Sequence, residues 1–247
     1  TWMGVKISER LTSLDAFRGL TIAGMILVNT PGSWEYVYPP LRHAAWEGCT
    51  PTDLVFPFFL YIVGVAMWYS FRKFDNRPSG RAVAKIFRRA AMIFLIGLLL
   101  NAFPFYNMDF HTLRIMGVLQ RIAVAFLFGA LICIYLPRKY LPWVAAAILM
   151  GYWALLALAG GPDPYGLEGN IVRQVDMAIL GHEHLWGGFG IQFDPEGLLS
   201  SLPAVGTVII GYLAGSYIDR SKLRGPALYT LMAAGIVGIV LGMVWDT

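Results

Sequence analysis

The chain has 247 residues, of which 57% are hydrophobic and 14% carry a charged side chain, whereas soluble domains carry about 25% charged residues. The mean hydropathy is +0.60, and several apolar runs approach the roughly 20 residues that cross a bilayer. This composition excludes a water-soluble enzyme, a nucleic-acid-binding module and a disordered tail. The positions of the charged residues are more informative than the net charge of +4. The sequence therefore predicts a multi-pass membrane protein.

Seven apolar runs separated by polar breaks predict seven membrane spans. Backbone polar groups stay paired in lipid only in helices or closed barrels, and these runs are long and lack alternation, which favours helices. The predicted spans cover residues 14–30, 53–71, 86–103, 113–136, 141–159, 198–217 and 226–244. The predicted fold class is an all-α polytopic transmembrane helix bundle that forms one domain over residues 1–247.

The positions of lysine and arginine predict the orientation, because basic residues favour cytoplasmic loops. One side of the predicted spans holds most of them: Lys6, Arg10, Arg72, Lys73, Arg77, Arg81, Lys85, Arg88, Arg89, Arg138, Lys139, Arg220, Lys222 and Arg224. The opposite loops hold only Arg42 and Arg173. We therefore expect a cytoplasmic N-terminus. The basic cluster over 72–89 is either a topological signal in contact with anionic lipid or a landing site for a phosphorylated cofactor.

Two long outer loops, 31–52 and 160–197, are rich in aromatic residues, glycine and proline. All four histidines are predicted on this outer side: His43, His111, His182 and His184. Long structured loops are often functional, and imidazole titrates near neutral pH. Proton-transfer chemistry is therefore predicted on the outer face.

Two arginines, Arg114 and Arg121, fall within the predicted fourth span. Seven residues apart on one helix, they would share a face about 10 Å apart along the axis. An arginine near the centre of a membrane helix costs at least about 2.5 kcal/mol, so it is usually paired or faces a polar interior. Arg114 could instead extend to the interface. That alternative is poor for Arg121, which lies two turns deeper with Gln120 beside it, and a functional or ion-paired internal site is favoured for the segment 113–121.

Polar residues near helix ends have both a structural and a functional interpretation. Asp15 and Arg18 can pair along one helix face, as a structural pair or as ligands. Asp53 suits the N-terminus of the second helix. His43 could act as base, acid or nucleophile, although a lone loop histidine is more often structural.

Metal and disulfide chemistry are weakly indicated. His182 and His184 lack the helical spacing and the further ligands of zinc proteases. Cys49 lies in a loop and Cys133 inside an apolar run, so we expect no disulfide between them. We also expect no metal cofactor.

Six segments match one known family in order along the chain. They are RLTSLDAFRG at 10–19, VN at 28–29, HAAWEG at 43–48, TDLVFPF at 52–58, LRIMGVLQR at 113–121 and FDPEG at 193–197. Because they extend over most of the chain, the match is far more specific than any single motif. On these motifs the chain resembles the heparan-alpha-glucosaminide N-acetyltransferase family, as a bacterial-type member.

The resemblance implies an enzyme that takes acetyl from acetyl-CoA on the cytosolic side. It would pass the acetyl to the amino group of a terminal glucosamine or related amino sugar on the outer, periplasmic or luminal, side. It implies that His43 is the catalytic base or acetyl carrier, with Asn29 and Asp53 in the polar core around it. The other implied contacts are cofactor-binding Arg18, Arg114, Gln120 and Arg121, and substrate-binding Trp46, Asp194 and Glu196.

The resemblance also sets expectations for location and extent. Family members usually continue with more helices, so we expect the domain to lack its C-terminal helices here. Coenzyme A is polyanionic and suits the basic side, whereas the histidines lie opposite. We therefore expect a polar passage through the bundle, in a bacterial inner membrane. The expected partners are the lipid bilayer and a glycan end, with no nucleic acid; a homodimer is left open.

Two alternatives stay open at this point. A transporter could use Arg114 and Arg121 to bind an anionic solute or sugar, although no inverted repeat is visible. An O-acyltransferase of surface glycans would keep the donor and change the acceptor to a hydroxyl group.

Overall fold

The computed structural model describes residues 12–46, 48–107, 109–161, 163–188, 190–221 and 225–245. In these residues the chain forms α-helices, short 3-10 turns and loops, and no β-strand. The α-helices are α1 (Thr12–Asn29), α2 (Val55–Phe71), α3 (Gly80–Asn101), α4 (Val118–Tyr135), α5 (Leu141–Ala159), α6 (Ile171–Leu180), α7 (Ser201–Ser221) and α8 (Gly225–Trp245). The predicted all-α class is confirmed for the described part of the chain.

Five of the helices are long and apolar enough to cross a membrane: α2, α4, α5, α7 and α8. The helices α1 and α3 do not meet the same criterion, and both carry charged residues in their first half. Their crossing of the membrane, and the orientation of the bundle, therefore stay predictions. Of the basic residues that predict this orientation, Lys6, Arg10, Lys222 and Arg224 lie outside the described residues.

The centre of the bundle is formed by α2, α4 and α7, which pack against one another. Their facing side chains are apolar and fully buried, as at Phe126, Val208 and Ile209. The polar passage expected from the sequence therefore does not run between these three helices in the described part of the chain. The backbones of α2 and α7 come into direct contact, because a Cβ at Gly64 or Gly211 would collide with the main chain of the facing helix. Small residues permit such close approach between membrane helices. The contact fixes α2 against α7, and each of these helices follows an outer segment that carries site residues.

The other long helices pack on this centre from outside. Helix α1 packs on α2, α3 on α4 and α5 on α7. Helix α8 touches α7 and leaves most of its apolar side chains exposed. At the end opposite the histidines, Asp219 of α7 accepts hydrogen bonds from Trp68 Nε1 and from Arg72, both at 3.0 Å.

The start of the fourth helix corrects the sequence prediction. The predicted span 113–136 placed Arg114 and Arg121 on one helix face, but α4 begins only at Val118. Asn101 Nδ2 instead donates to the main-chain carbonyls of Arg114 and Met116, at 2.9 and 3.2 Å. These carbonyls are thus held by a side chain rather than by a helical N–H. The prediction that the two arginines share one helix face was therefore wrong.

The segments that carry the site also differ from the prediction. Helix α2 begins at Val55, so Asp53 lies in the preceding turn and not in the helix. The second outer loop contains the helix α6, which begins after Asn170, whose side chain accepts a hydrogen bond from Val172 N at 2.8 Å. With 10 residues, α6 is too short to cross a bilayer, and a search for long apolar runs misses it.

Candidate active site

His43 and Asp53 form a hydrogen-bonded pair on the segment between α1 and α2. His43 Nδ1 lies 2.6 Å from Asp53 Oδ1, and the His43 side chain is 58% exposed. With Nδ1 carrying the proton towards the carboxylate, Nε2 is left as the free acceptor of the ring. Orientation of an imidazole by a carboxylate is the arrangement that general bases use. The structure thus brings together two of the three residues predicted as catalytic.

The turn before α2 builds this pair. Asp53 Oδ2 accepts hydrogen bonds from Thr50 N at 2.8 Å, Thr50 Oγ1 at 2.9 Å and Ala44 N at 3.3 Å. Partial burial opposes ionisation of Asp53, but the bonds from Thr50, His43 and Ala44 outweigh it and hold the pKa of this carboxyl below its ordinary value. Asp53 is therefore a carboxylate near neutral pH, and it favours the protonated Nδ1 of His43.

Trp46 connects the two outer segments. Its Nε1 donates to the carbonyl of Tyr165 at 2.8 Å. Its ring stands edge-on to Phe193, with centroids 4.9 Å apart and planes at 80°. Phe193 directly precedes Asp194, so the histidine segment lies against the segment that carries the predicted sugar-binding carboxylates.

Arg114 is paired with both of these carboxylates. Its Nε and Nη2 donate to the two oxygens of Asp194 at 2.8 and 2.6 Å, and Nη2 also donates to Glu196. Asp194 is completely buried. Burial alone would lower the pKa of Arg114, but Asp194 and Glu196 raise it above its ordinary value. A fixed guanidinium therefore holds Asp194 and Glu196 together at the end of the bundle that carries the histidines.

Arg121 lies one turn into α4, on the α2 side of the same cluster. Its guanidinium lies 5.1 Å from the centroid of Phe56, one turn beyond Asp53 along the chain. Two of its nitrogens donate to the carbonyls of Pro195 and Ser200, at 3.1 and 2.9 Å. Among the described residues, its buried Nε has no hydrogen-bond partner. Arg121 thus keeps one donor uncommitted in the interior.

Gln120 lies beside Arg121 and is almost completely buried. Its side-chain oxygen leaves no room for a Cβ at Gly97 of α3. Its Nε2 has no hydrogen-bond partner within the described part of the chain. The structure thus places a second uncommitted donor at the start of α4, on the side of α3.

Asn29 and Arg18 form no hydrogen bond or ion pair with this group among the described residues. The Asn29 side chain is exposed and donates to the carbonyl of Met25 on its own helix at 2.9 Å. Arg18 pairs with Asp15 at 3.7 Å, as its helical spacing predicts. Asn29 makes no hydrogen bond to His43 among the described residues, so its catalytic role stays a prediction.

His184 is a residue whose role the sequence interpretation missed. Its Nδ1 lies 2.7 Å from the carbonyl of Leu113, and its own carbonyl accepts from Ile115 N at 3.3 Å. These two bonds bracket Arg114. In the described ranges, no three His, Cys, Asp or Glu side chains gather as metal ligands. The H-x-H pattern indicates metal binding only weakly, and in the structure its second histidine orders the main chain around Arg114.

Comparison with known families agrees with the motifs that carry these residues. The family model described as heparan-alpha-glucosaminide N-acetyltransferase, catalytic, matches residues 10–243. The chain belongs to this family.

Two curated members of the heparan-alpha-glucosaminide N-acetyltransferase family show how far the match extends. The human protein of that name is 27% identical over 274 aligned positions, which cover 91% of this chain and 41% of the human protein. The mouse protein is 26% identical over 289 positions, covering 95% of this chain and 43% of its own length. The chain thus spans about two fifths of the length of these relatives.

Proposed function

We propose that this protein is a membrane N-acetyltransferase that uses acetyl-CoA and acetylates the amino group of a terminal glucosamine or related amino sugar. The observation that carries the proposal is the 2.6 Å bond between His43 Nδ1 and Asp53, in a chain of a family named for this reaction. An exposed imidazole oriented by a carboxylate suits an acceptor that arrives from outside the bundle.

His43 would remove the proton that makes the sugar amine unreactive. Nε2 takes a proton from the attacking nitrogen, an N–C bond forms to the acetyl carbonyl, and the C–S bond breaks. The coenzyme leaves as a thiolate, which takes a proton and becomes the free thiol. In a carrier route, Nε2 itself attacks the acetyl carbonyl and the C–S bond breaks. The amine then attacks the acetyl group on the ring, the Nε2–C bond breaks, and the amine proton passes to Nε2. In both routes the negative charge of Asp53 stabilises a positively charged imidazole ring.

Arg121 would support the acetyl carbonyl during this step. Negative charge develops on the carbonyl oxygen as the amine attacks, and fixed donors in a low-dielectric site stabilise it strongly. The guanidinium of Arg121 is held by Pro195 and Ser200 and covered by Phe56, while its Nε has no partner within the described residues. Gln120 Nε2 is a second uncommitted donor next to it in the chain.

The phosphates of coenzyme A would bind at the opposite end, which is predicted to be cytoplasmic. Arg89 of α3 lies over the buried ring of Phe126 at 4.8 Å and is within electrostatic range of Arg18. Arg89 pairs with no carboxylate among the described residues. Two guanidinium groups within electrostatic range of one another suit the pyrophosphate of a nucleotide. This supports Arg18 as a cofactor ligand.

The acceptor sugar would bind between the outer segments. Trp46 offers an aromatic ring, and Glu196 keeps part of its carboxylate exposed. Asp194 is fully buried, so we propose that it acts through Arg114 rather than by touching the sugar. Asn29 is proposed at the edge of this site, at the end of α1.

The test is acetyl transfer by purified protein in lipid nanodiscs. We expect radiolabelled acetyl-CoA and glucosamine to give labelled N-acetylglucosamine, with neutral sugars failing to compete. Labelled product from glucose but not from glucosamine would indicate an O-acyltransferase. Flux of label into proteoliposomes without any product would indicate a transporter, and either result would overturn the proposal. Label retained on the protein when the acceptor is withheld would select the carrier route.

A further inference from the structure

The turn over residues 194–200 is bound from several sides at once. Arg114 binds the side chains of Asp194 and Glu196. Arg121 binds the carbonyls of Pro195 and Ser200. The N–H groups of Leu198 and Leu199, in contrast, are bound by a side chain that the proposed mechanism does not use.

That side chain is Asp176 of α6. It is completely buried, and its Oδ1 accepts from Leu198 N at 3.0 Å and from Leu199 N at 3.2 Å. Its Oδ2 lies so close to Gly197 that a Cβ at this glycine would collide with it, and it has no hydrogen-bond partner among the described residues. A carboxylate in such a place is costly to bury, so its contacts with the turn must compensate.

The two ends of the peptide dipoles in this turn are held by groups of opposite charge. The carbonyl groups of Pro195 and Ser200 point to the guanidinium of Arg121, whereas the N–H groups of Leu198 and Leu199 point to Asp176. These four groups lie within six consecutive residues. A shift of the N–H groups therefore moves the carbonyls that hold Arg121.

We infer that Asp176 is a positioning residue for Arg121: by binding two N–H groups of the 194–200 turn, it holds the Pro195 and Ser200 carbonyls where they fix the Arg121 guanidinium. The catalytic part of this inference rests on the proposed function. The conformational part concerns the turn alone.

The first measurement does not involve activity. Asp176→Ala leaves the Leu198 and Leu199 N–H groups without an acceptor, so we expect faster deuterium exchange in the peptide that covers 194–200, with exchange in α1 unchanged. Asp176→Asn keeps a carbonyl oxygen of the same shape and is expected to exchange as the wild type does. Glu183→Gln, an exposed carboxylate of the same outer segment, serves as the matched control. Unchanged exchange in Asp176→Ala would overturn the inference.

The second measurement is kcat, normalised to the sites that bind coenzyme A. Misplacement of a catalytic group by about 1 Å can cost on the order of 100-fold in rate. We expect Asp176→Ala to lose about this factor, with KM for both substrates little changed, and Asp176→Asn to recover most of it. A global structural defect would instead lower the number of sites that bind coenzyme A and leave kcat per site unchanged, which would contradict positioning.

A double variant gives the sharpest test. Arg121→Lys removes the planar group that binds both carbonyls, so the turn no longer has a guanidinium to position. We therefore expect Asp176→Ala to cause little further loss of kcat in the Arg121→Lys background. Losses that multiply would show that the two residues act independently. If the wild type transfers no acetyl, the proposed function fails, and the exchange measurement still decides whether Asp176 holds the turn.

Discussion

The two polar clusters on the histidine side of the bundle are built in different ways. His43 and Asp53 are ten residues apart on one segment, and the histidine is largely exposed. Arg114 and Asp194 are eighty residues apart, and the aspartate is completely buried. An exposed imidazole can meet an acceptor and exchange protons with water. A buried ion pair cannot, and removal of one partner leaves an uncompensated charge. The first cluster is therefore suited to chemistry and the second to holding the loops in place.

The largest effect is expected at His43. His43→Ala should lower acetyl transfer by about 1,000-fold, which lies within the usual contribution of general acid–base catalysis, about 10²–10⁴. Membrane insertion and the unfolding temperature should change little, because the side chain is mostly exposed. Steady-state transfer and thermal unfolding in nanodiscs measure both. His111→Ala, at another exposed histidine, is the control. If His43→Ala retained acetyl transfer, the His43–Asp53 pair would have no part in the mechanism.

At Arg114 we expect the main effect to be on stability. Arg114→Ala leaves the buried Asp194 without its cation, and such a loss costs about 3 kcal/mol of stability. Reversible unfolding in detergent should show this loss, whereas Arg77→Ala, at an exposed arginine, should show almost none. The double variant Arg114→Ala with Asp194→Ala should recover part of the stability, because no lone buried carboxylate is left. If the double variant is as unstable as the single one, the pair does not carry the effect.

The two aspartates that bind backbone N–H groups should respond to pH with opposite signs. Burial raises the pKa of Asp176 from 3.8 to about 6, against the lowering effect of the Leu199 and Leu198 N–H groups; the charge of Asp194 adds to the increase. The proton that the folded state retains stabilises it fully below the ordinary pKa, and this stability is lost as the pH rises through about 6. The pKa values differ by about 2, so the loss is about 3 kcal/mol.

Asp53 has a lowered pKa, so its contribution is present above its ordinary pKa and is lost as the pH falls below it. Unfolding free energies measured between about pH 2.5 and 7.5 separate the two contributions. Asp176→Asn should remove the decrease in stability between about pH 4 and pH 6. Asp53→Asn should change the free energy of unfolding only below about pH 4. Tyr152 and Arg121 also lie within electrostatic range of this region, and neither is expected to titrate in that interval. Identical pH profiles for wild type and Asp176→Asn would contradict this assignment.

The last prediction concerns the side of the membrane on which the His43–Asp53 pair lies, and its test leaves activity and stability almost unchanged. Cys49 is exposed six residues after His43, and Cys133 is buried in α4. A membrane-impermeant maleimide should label Cys49 when it is added from outside to intact cells, and it should label Cys133 only after denaturation. Cys49→Ser is the control for the site of labelling. Labelling of Cys49 only from the cytoplasmic side would reverse the predicted orientation.

The local half of the site could be predicted from the sequence, and the distant half could not. His43 and Asp53 lie in two consecutive motifs and are ten residues apart, so a pairing between them needs only a turn. Arg114 was predicted to be paired or to face the interior. Its partners, Asp194 and Glu196, lie on a distant segment and were predicted to bind the sugar instead. The predicted helical register from 113 failed because Asn101 binds the carbonyls that would otherwise start the helix. Asp176 was missed because one carboxylate in a polar segment carries no local signal of its burial.

The amino-acid sequence alone determined that this is a helical membrane protein and which family it resembles, since both follow from composition and from short motifs whose meaning is local. Packing decided the remainder: which N–H and carbonyl groups of the 194–200 turn meet a charge, that Arg121 lies over Phe56, and that α2 touches α7 through glycines. Such pairings depend on how helices far apart in the chain come into contact. The free energy of burying a charge is set by that contact and not by the residues next to it in sequence.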